Sequence, residues 1–233
     1  MEQSTLYLAV TFGFILLFVH YFSDKLVEHK KHHKQIISFG AGVSLAYIFL
    51  ILLPELYKGI DYAGQFIFVV VLSGTLLFHY AEKYIYQHAK KAVRLKELRA
   101  VHTLAFFSYH FMIGIVLVDF LRINITSGVL LMIPVTTFTA VGLASMKRIH
   151  FKVTQKPILK ILLASSTLMG ILISLFLVFP KKIFYILLAF IMGALLYELL
   201  RKNIPKKRSE DTTFFMIGAL LYALIIMLIW LIV

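Results

Sequence analysis

Eight long runs of apolar residues, separated by short polar and basic segments, make up most of the chain. The runs cover about 6–22, 37–57, 65–84, 103–121, 127–146, 157–179, 183–200 and 213–233. A helix needs about 20 mostly apolar residues to cross a bilayer, and runs of this length without strict alternation favour helices over barrel strands. The pattern therefore predicts an all-α integral membrane protein with eight transmembrane helices in a single membrane domain, residues 1–233.

The overall composition narrows the class of protein further. Of the 233 residues, 61% are hydrophobic and 15% are charged, and the mean hydropathy is +0.89. A soluble domain of this size cannot bury so large a share of apolar side chains. The absence of Cys excludes disulfides, thiolate metal sites and cysteine nucleophiles. No basic stretch precedes the first run and no small-residue cleavage site follows it, so we expect this span to stay in the mature protein.

The basic residues predict the orientation of the spans. The chain has 24 Lys and Arg against 11 Asp and Glu, a net charge of +13. In a soluble protein this excess would suggest nucleic acid, but here the basic residues lie between apolar runs, so we expect the lipid bilayer as partner and no nucleic acid. Twenty of the 24 lie in or beside the connections after spans 1, 3, 5 and 7. The positive-inside rule places these connections in the cytoplasm and both termini outside a plasma membrane of the prokaryotic type.

A glycine and a proline recur at the same interval in two spans of opposite orientation. Gly42 in span 2 lies twelve residues before Pro54, and Gly193 in span 7 lies twelve residues before Pro205. Inverted-topology repeats leave such patterns and are common among transporters. The pattern indicates an inverted repeat, with a chance match among eight apolar helices as the alternative.

Four acidic residues fall inside the predicted spans, where charge is costly and becomes a candidate for function. They are Glu55, Glu82, Asp119 and Glu198. All four lie near span ends, so snorkelling to the headgroups or a local ion pair explains each of them. Glu55 nevertheless remains a candidate transport-site residue.

The interior of spans 4 and 5 is the best candidate site. His110 lies near the centre of span 4, where an imidazole can ligate a cation, relay a proton or hydrogen-bond a neighbouring helix. Thr136, Thr137 and Thr139 of span 5 lie near the same depth and can line a polar path. Pro134 just before them frees a backbone carbonyl, as in helices that line ion sites.

We expect no enzymatic activity, because the usual catalytic motifs are missing. The chain contains no His-Glu-x-x-His, no Gly-x-Ser-x-Gly, no glycine-rich phosphate loop and no pair of aspartates in mid-membrane. No cofactor is expected either, apart from a metal ion as a substrate.

Local sequence in spans 2 and 7 resembles the ZIP family of divalent-metal transporters. Residues 39–45 and 49–55, FGAGVSL and FLILLPE, are similar to the family's glycine-rich second helix, which ends in His-Leu-Leu-Pro-Glu. Residues 193–198, GALLYE, are similar to its Gly-x-Phe-Leu-Tyr segment. The resemblance implies a ZIP-like 3+2+3 arrangement of eight helices with an inverted repeat and both termini outside. It further implies a moving bundle of spans 1, 4, 5 and 6 against a static frame of spans 2, 3, 7 and 8, and it fits a homodimer formed through the frame.

The metal ligands that the resemblance implies are largely replaced. Aligning Gly114 with the family's His-Asn-x-x-Asp-Gly segment puts Tyr109 at its histidine, His110 at its asparagine and Ile113 at its aspartate. In span 5, Thr137 takes the place of the histidine in the family's His-Glu-x-Pro-Glu-Gly segment. His110 is thus the one remaining candidate metal ligand, whereas zinc wants three or four such ligands.

Two readings follow from this replacement. One is transport of a metal or another cation through an altered site that relies on His110, Tyr109, Thr137 and Thr139, where imidazole with Met112 would suit copper(I). The other is a pseudo-transporter that keeps the fold, transports nothing and binds a protein or lipid partner.

Overall fold

The chain is helical throughout the residues that its computed structural model describes, which are 3–27, 33–88, 91–145, 157–199 and 211–232. The helices are α1 (Gln3–Val27), α2 (His33–Tyr47), a π-helical segment (Ile48–Leu52), α3 (Leu53–Lys58), α4 (Ile60–Ala63), α5 (Phe66–His88), α6 (Lys91–Ile123), α7 (Ile125–Ser145), α8 (Pro157–Phe176), α9 (Lys181–Glu198) and α10 (Thr212–Ile232). No strand occurs within these ranges, so the predicted all-α class is confirmed. The predicted connections after spans 5 and 7, with Pro205, lie largely outside the described residues. The predicted connection after span 3 is mostly helical instead, because α5 continues to His88 and α6 begins at Lys91.

Within the described parts of the chain, five helical segments are long and apolar enough to cross a membrane. They are Thr5–Phe22, Lys34–Ala63, Phe66–His88, Phe106–Ile123 and Thr212–Leu231. Two shorter apolar segments occupy Ile125–Thr137 and Lys160–Phe176. These helix lengths and compositions are consistent with a helical membrane protein.

Span 2 is continuous in direction but changes its winding before a proline. Pro54 has no N–H and its ring would clash with the carbonyl four residues earlier in a regular α-helix. The turn that precedes it, Ile48–Leu52, is wound as a π-helix, which makes room for the ring and lets the helix continue to Lys58. Such π turns concentrate at functional sites.

The helix of the sixth predicted span, α8, ends earlier than the apolar pattern predicts. Apolar residues continue to Phe179, yet α8 stops at Phe176. Pro180 disfavours helical geometry at the residue before it, and its own extended backbone (ψ 142°) begins α9. Residues 177–180 therefore form the turn between two spans.

The helices form two groups that differ in their contacts. In the first, the bundle, α6 packs along α8, and α1 packs against α6, α7 and α8. In the second, the frame, α2 packs along α10 and α5 along α9. The groups meet where α7 contacts α2 and where α6 contacts α5 and α9. Fully buried side chains from both groups, among them Tyr47, Leu117 and Tyr222, form one core.

Facing glycines let three helix pairs approach backbone to backbone. The facing pairs are Gly42 with Gly218, Gly74 with Gly193, and Gly114 with Gly170. A methyl group on Gly42 would collide with the carbonyl oxygen of Phe215, and one on Gly193 with that of Val71. Each of these carbonyls lies three residues before the facing glycine, so α2–α10 and α9–α5 cross in the same register. Small residues are the usual device for close packing of membrane helices.

Candidate functional site

His110 lies in the interior of the bundle, with each ring nitrogen within hydrogen-bond distance of a neighbouring oxygen atom. It is 2% exposed. Its Nδ1 lies 3.0 Å from the Phe106 carbonyl oxygen, one helical turn earlier. Its Nε2 lies 3.1 Å from the hydroxyl oxygen of Thr139 on α7, which is also buried. The structure therefore brings together His110 of span 4 and Thr139 of span 5, two of the candidate site residues.

Both ring nitrogens of His110 face neighbouring oxygen atoms rather than an open site. With the ring proton on Nδ1, that atom donates to the Phe106 carbonyl, and Nε2 is an acceptor that faces the Thr139 hydroxyl. The same hydroxyl lies 2.7 Å from the Val135 carbonyl and directs its one proton to either acceptor. A metal at His110 would have to displace Thr139 or Phe106 first.

A second histidine, which the sequence reasoning missed, joins this site from α1. The His20 ring is 6% exposed and stacks on Phe106, with centroids 4.7 Å apart. It also lies nearly parallel to the His110 ring at 5.8 Å. His20 stands near the end of span 1, where a polar aromatic residue usually marks the membrane interface, so the sequence carried no signal of this contact.

The described residues do not assemble a conventional metal centre. Within them no group of three or more His, Cys, Asp or Glu side chains is placed to hold an ion. Two imidazoles and a hydroxyl fall short of the three or four ligands of a zinc site.

Of the other predicted site residues, Tyr109 lies beside His110, whereas the hydrogen bonds of Thr137 and Glu55 go to other partners. The Thr137 hydroxyl donates to the Ile133 carbonyl in its own helix at 2.8 Å. Glu55 pairs with Lys58 at 2.7 Å and accepts a hydrogen bond from the Tyr185 hydroxyl at 3.2 Å. Tyr109 packs beside His110, with ring centroids 5.1 Å apart, and lines a separate cavity.

Of the four acidic residues inside the predicted spans, the two with described side chains are held in local ion pairs. Besides Glu55, Asp119 pairs with Arg122 at 2.9 Å, and Arg122 also donates to the Ser174 carbonyl of α8. The side chains of Glu82 and Glu198 lie outside the described residues.

A small cavity lies where the bundle meets the frame. Its lining residues are Ser44, Tyr47, Tyr109, Pro134, Val135 and Leu195, from α2, α6, α7 and α9. It has room for about one water molecule. Tyr47, the last residue before the π-helical segment, is 1% exposed, and its hydroxyl has no hydrogen-bond partner. The Ser44 hydroxyl donates to the Gly40 carbonyl at 2.9 Å.

The carbonyl that Pro134 frees has a partner in the frame. Because Pro134 has no N–H, the Leu130 carbonyl loses its usual helical bond. The Tyr222 hydroxyl of α10 donates to this oxygen at 2.7 Å. The sequence predicted the freed carbonyl, but not that a tyrosine from span 8 would occupy it.

Comparison with known proteins adds no functional information. No protein-family model and no curated protein matches this chain.

Proposed function

We propose that this chain is a multi-pass transporter of ZIP-like architecture that carries a cation across a prokaryotic-type plasma membrane, through an altered site between spans 4 and 5. The observation that carries the proposal is the position of the central cavity. It lies between α6 and α7 of the bundle and α2 and α9 of the frame, at the junction that alternating access would open and close.

The contacts between helices support an inverted repeat, which is common among transporters. An inverted repeat would relate spans 1, 2 and 3 to spans 6, 7 and 8, and span 4 to span 5. Under this exchange, the contact between α2 and α10 corresponds to the contact between α9 and α5. The exchange also turns α6–α8 into α7–α1, and α2–α7 into α9–α6. The common register of the two glycine crossings supports the same relation at the level of single carbonyls.

The geometry favours a substrate other than a carboxylate-held divalent metal. The His110 nitrogens face the Phe106 carbonyl and the Thr139 hydroxyl, and no acidic side chain among the described residues lines the central cavity. The residues that line the cavity carry hydroxyl groups and aromatic rings but no charged group, so any cation that passes there would be held without a charged ligand.

The frame also offers the surface for lipid and for a second copy of the chain. In the apolar segments of α5 and α10, only 12% and 17% of the residues are buried, and both helices expose apolar side chains. A homodimer through the frame would leave the bundle free to move.

Uptake by vesicles containing the purified protein tests the transport proposal. The panel contains sodium, potassium, copper(I), zinc and manganese, with protein-free vesicles as the control. We expect uptake of at least one cation above the control. Uptake of none would contradict the proposal.

A cross-link tests relative motion of the two groups, since the native chain has no Cys. Cysteines at Val135 and Leu195, on opposite sides of the cavity, are joined with a bifunctional maleimide. The matched pair at Phe78 and Phe190 lies within the frame, where the native rings are 6.2 Å apart. We expect the first link alone to stop uptake.

A pseudo-transporter that binds a protein or lipid partner is the second candidate function. It is favoured by the His110 ring, whose two nitrogens face the Phe106 carbonyl and the Thr139 hydroxyl rather than an open site. If His110→Ala changes neither phenotype nor melting temperature and no cation is taken up, this candidate replaces transport. Loss of uptake with the fold intact would remove it.

A further inference from the structure

We infer that one exposed surface of α5, at the end of the helix that leads into α6, binds the headgroup of an anionic phospholipid. This surface, the α5 face, consists of Tyr80, Lys83, Tyr84 and His88, all of which are exposed. The inference does not depend on transport. It goes beyond a general contact of the frame with lipid, because it names one place and one kind of headgroup.

The exposed side chains of α5 change in character along the helix. Near its start they are apolar and include Val69 and Leu72. Its last turns expose the α5 face instead, with two tyrosines, a lysine and a histidine. The other mostly exposed helix, α10, carries no charged residue between 212 and 232. Contact with acyl chains alone therefore explains the surface of α10, but not the polar end of α5.

The α5 face lies at the depth where the hydrocarbon of a bilayer gives way to headgroups. With a rise of about 1.5 Å per residue, Lys83 lies about 26 Å along the helix from Phe66. The hydrocarbon core is about 30 Å thick. Tyr80 lies about one turn deeper than Lys83, and His88 lies more than one turn beyond it. The face therefore extends from the acyl chains to the headgroup, as a phospholipid does.

Three aromatic rings of the α5 face are stacked along the helix. The ring centroids of Tyr80 and Tyr84 are 5.8 Å apart, and those of Tyr84 and His88 are 4.2 Å apart. The His88 Nδ1 lies 3.0 Å from the Tyr84 carbonyl oxygen, which holds the last ring in place. Tyrosine combines an apolar ring with a hydroxyl that can donate to a phosphate oxygen. The stack thus offers an apolar surface and hydrogen-bond donors side by side.

The charge on and beside the α5 face selects an anionic headgroup. Lys83 makes no ion pair with another described residue. Only residues 89 and 90 separate α5 from α6, so the basic start of α6 follows the face directly. Between 82 and 99 the two acidic residues are outnumbered by Lys83, Lys90, Lys91, Arg94, Lys96 and Arg99. Clusters of this kind beside a membrane helix attract anionic lipids, whereas a zwitterionic headgroup has no net charge to be attracted.

Native mass spectrometry of the full chain in detergent tests the binding directly. Dioleoyl phosphatidylglycerol or dioleoyl phosphatidylcholine is added at equal concentration, so that only the headgroup differs. We expect the chain to retain more phosphatidylglycerol than phosphatidylcholine. Lys83→Ala should lower the retained phosphatidylglycerol by about fivefold, the effect of one surface charge.

Two further variants serve as matched controls for the loss of the Lys83 charge. Lys83→Arg keeps the charge, and Lys182→Ala removes an exposed lysine at the start of α9; each should change retention by less than about twofold. Equal retention of the two lipids, or unchanged retention by Lys83→Ala, would overturn the inference. A lipid-free dimer that Lys83→Ala dissociates would assign the α5 face to a second copy of the chain, and would overturn it as well.

The melting temperature separates a bound phospholipid from free phosphate. We expect phosphatidylglycerol to raise it for the native chain by mass action, and to raise it less for Lys83→Ala. Without added lipid the two should melt at the same temperature, because Lys83 is exposed. An equal rise with inorganic phosphate would show that the acyl chains do not contribute, and would overturn the inference. Neither measurement involves cation uptake, so the proposed function stands or fails separately.

Discussion

His110 illustrates how a single buried polar residue is kept satisfied in a membrane interior. Its two nitrogens face the Phe106 carbonyl and the Thr139 hydroxyl, and His20 covers its ring. The arrangement joins α1, α6 and α7 through one side chain. Each partner therefore contributes to the stability of the bundle as well as to any function of the site.

The bond between His110 and Thr139 leads to a stability prediction. Thr139→Val keeps the shape of the side chain and removes the hydroxyl, so that Nε2 loses its partner. We expect the free energy of unfolding to fall by about 1 kcal/mol. Thr137→Val is the matched control, because the Thr137 hydroxyl donates to the Ile133 carbonyl of its own helix; it should cost less than about 0.5 kcal/mol. Unfolding in mixed detergent measures both, and equal losses would contradict a special role for Thr139.

For a single residue, the sequence indicates its depth in the membrane but not the direction in which its side chain points. His110 and Thr139 were predicted because both lie in mid-span, and the structure joins them. Thr137 lies at the same depth, yet its hydroxyl turns to its own helix. Tyr47 and Tyr222 were missed, because a tyrosine in an apolar span resembles ordinary core until its hydroxyl is seen to have a partner or to lack one.

Among the elements, α7 depends on a neighbour to complete its hydrogen bonds. Pro134 breaks the helical bond of the Leu130 carbonyl, and Tyr222 of α10 replaces it. This bond is a polar connection between the bundle and the frame. It turns a local defect in one helix into a contact between two groups of helices.

A double-mutant cycle tests this compensation. Tyr222→Phe should cost about 1 kcal/mol of unfolding free energy, because it leaves the Leu130 carbonyl unpaired. In a Pro134→Ala background the restored N–H of residue 134 bonds that carbonyl, so the cost of Tyr222→Phe should be smaller. Tyr80→Phe is the exposed control. An identical cost in both backgrounds would show that the proline and the tyrosine act independently.

Helix type and approximate extent follow from apolar length, which is why all eight runs contain a helix. Winding and ends depend on local sterics that the apolar pattern does not record. The π turn before Pro54 and the early end of α8 before Pro180 both come from proline geometry. In each case the residue was visible in the sequence, but its effect on the backbone was not.

For the whole molecule, the distribution of basic residues makes a testable prediction of orientation. Lys34 and Lys182 are both exposed, so a single cysteine substituted at either position can be labelled. The native chain offers no competing thiol. The positive-inside rule places position 182 outside and position 34 in the cytoplasm. A membrane-impermeant maleimide should label Lys182→Cys in intact cells and Lys34→Cys only after permeabilisation. The opposite labelling pattern would contradict the prediction and indicate the reverse topology.

The glycine crossings have a consequence for how such a chain can evolve. At each crossing the essential contact is made by backbone atoms, so it depends on the absence of a side chain at a few positions and not on the identity of its neighbours. The lipid-facing positions of the same helices accept any apolar residue. Sequence drift can therefore run far along these helices while the crossings hold their geometry, and selection on the fold concentrates in six glycines.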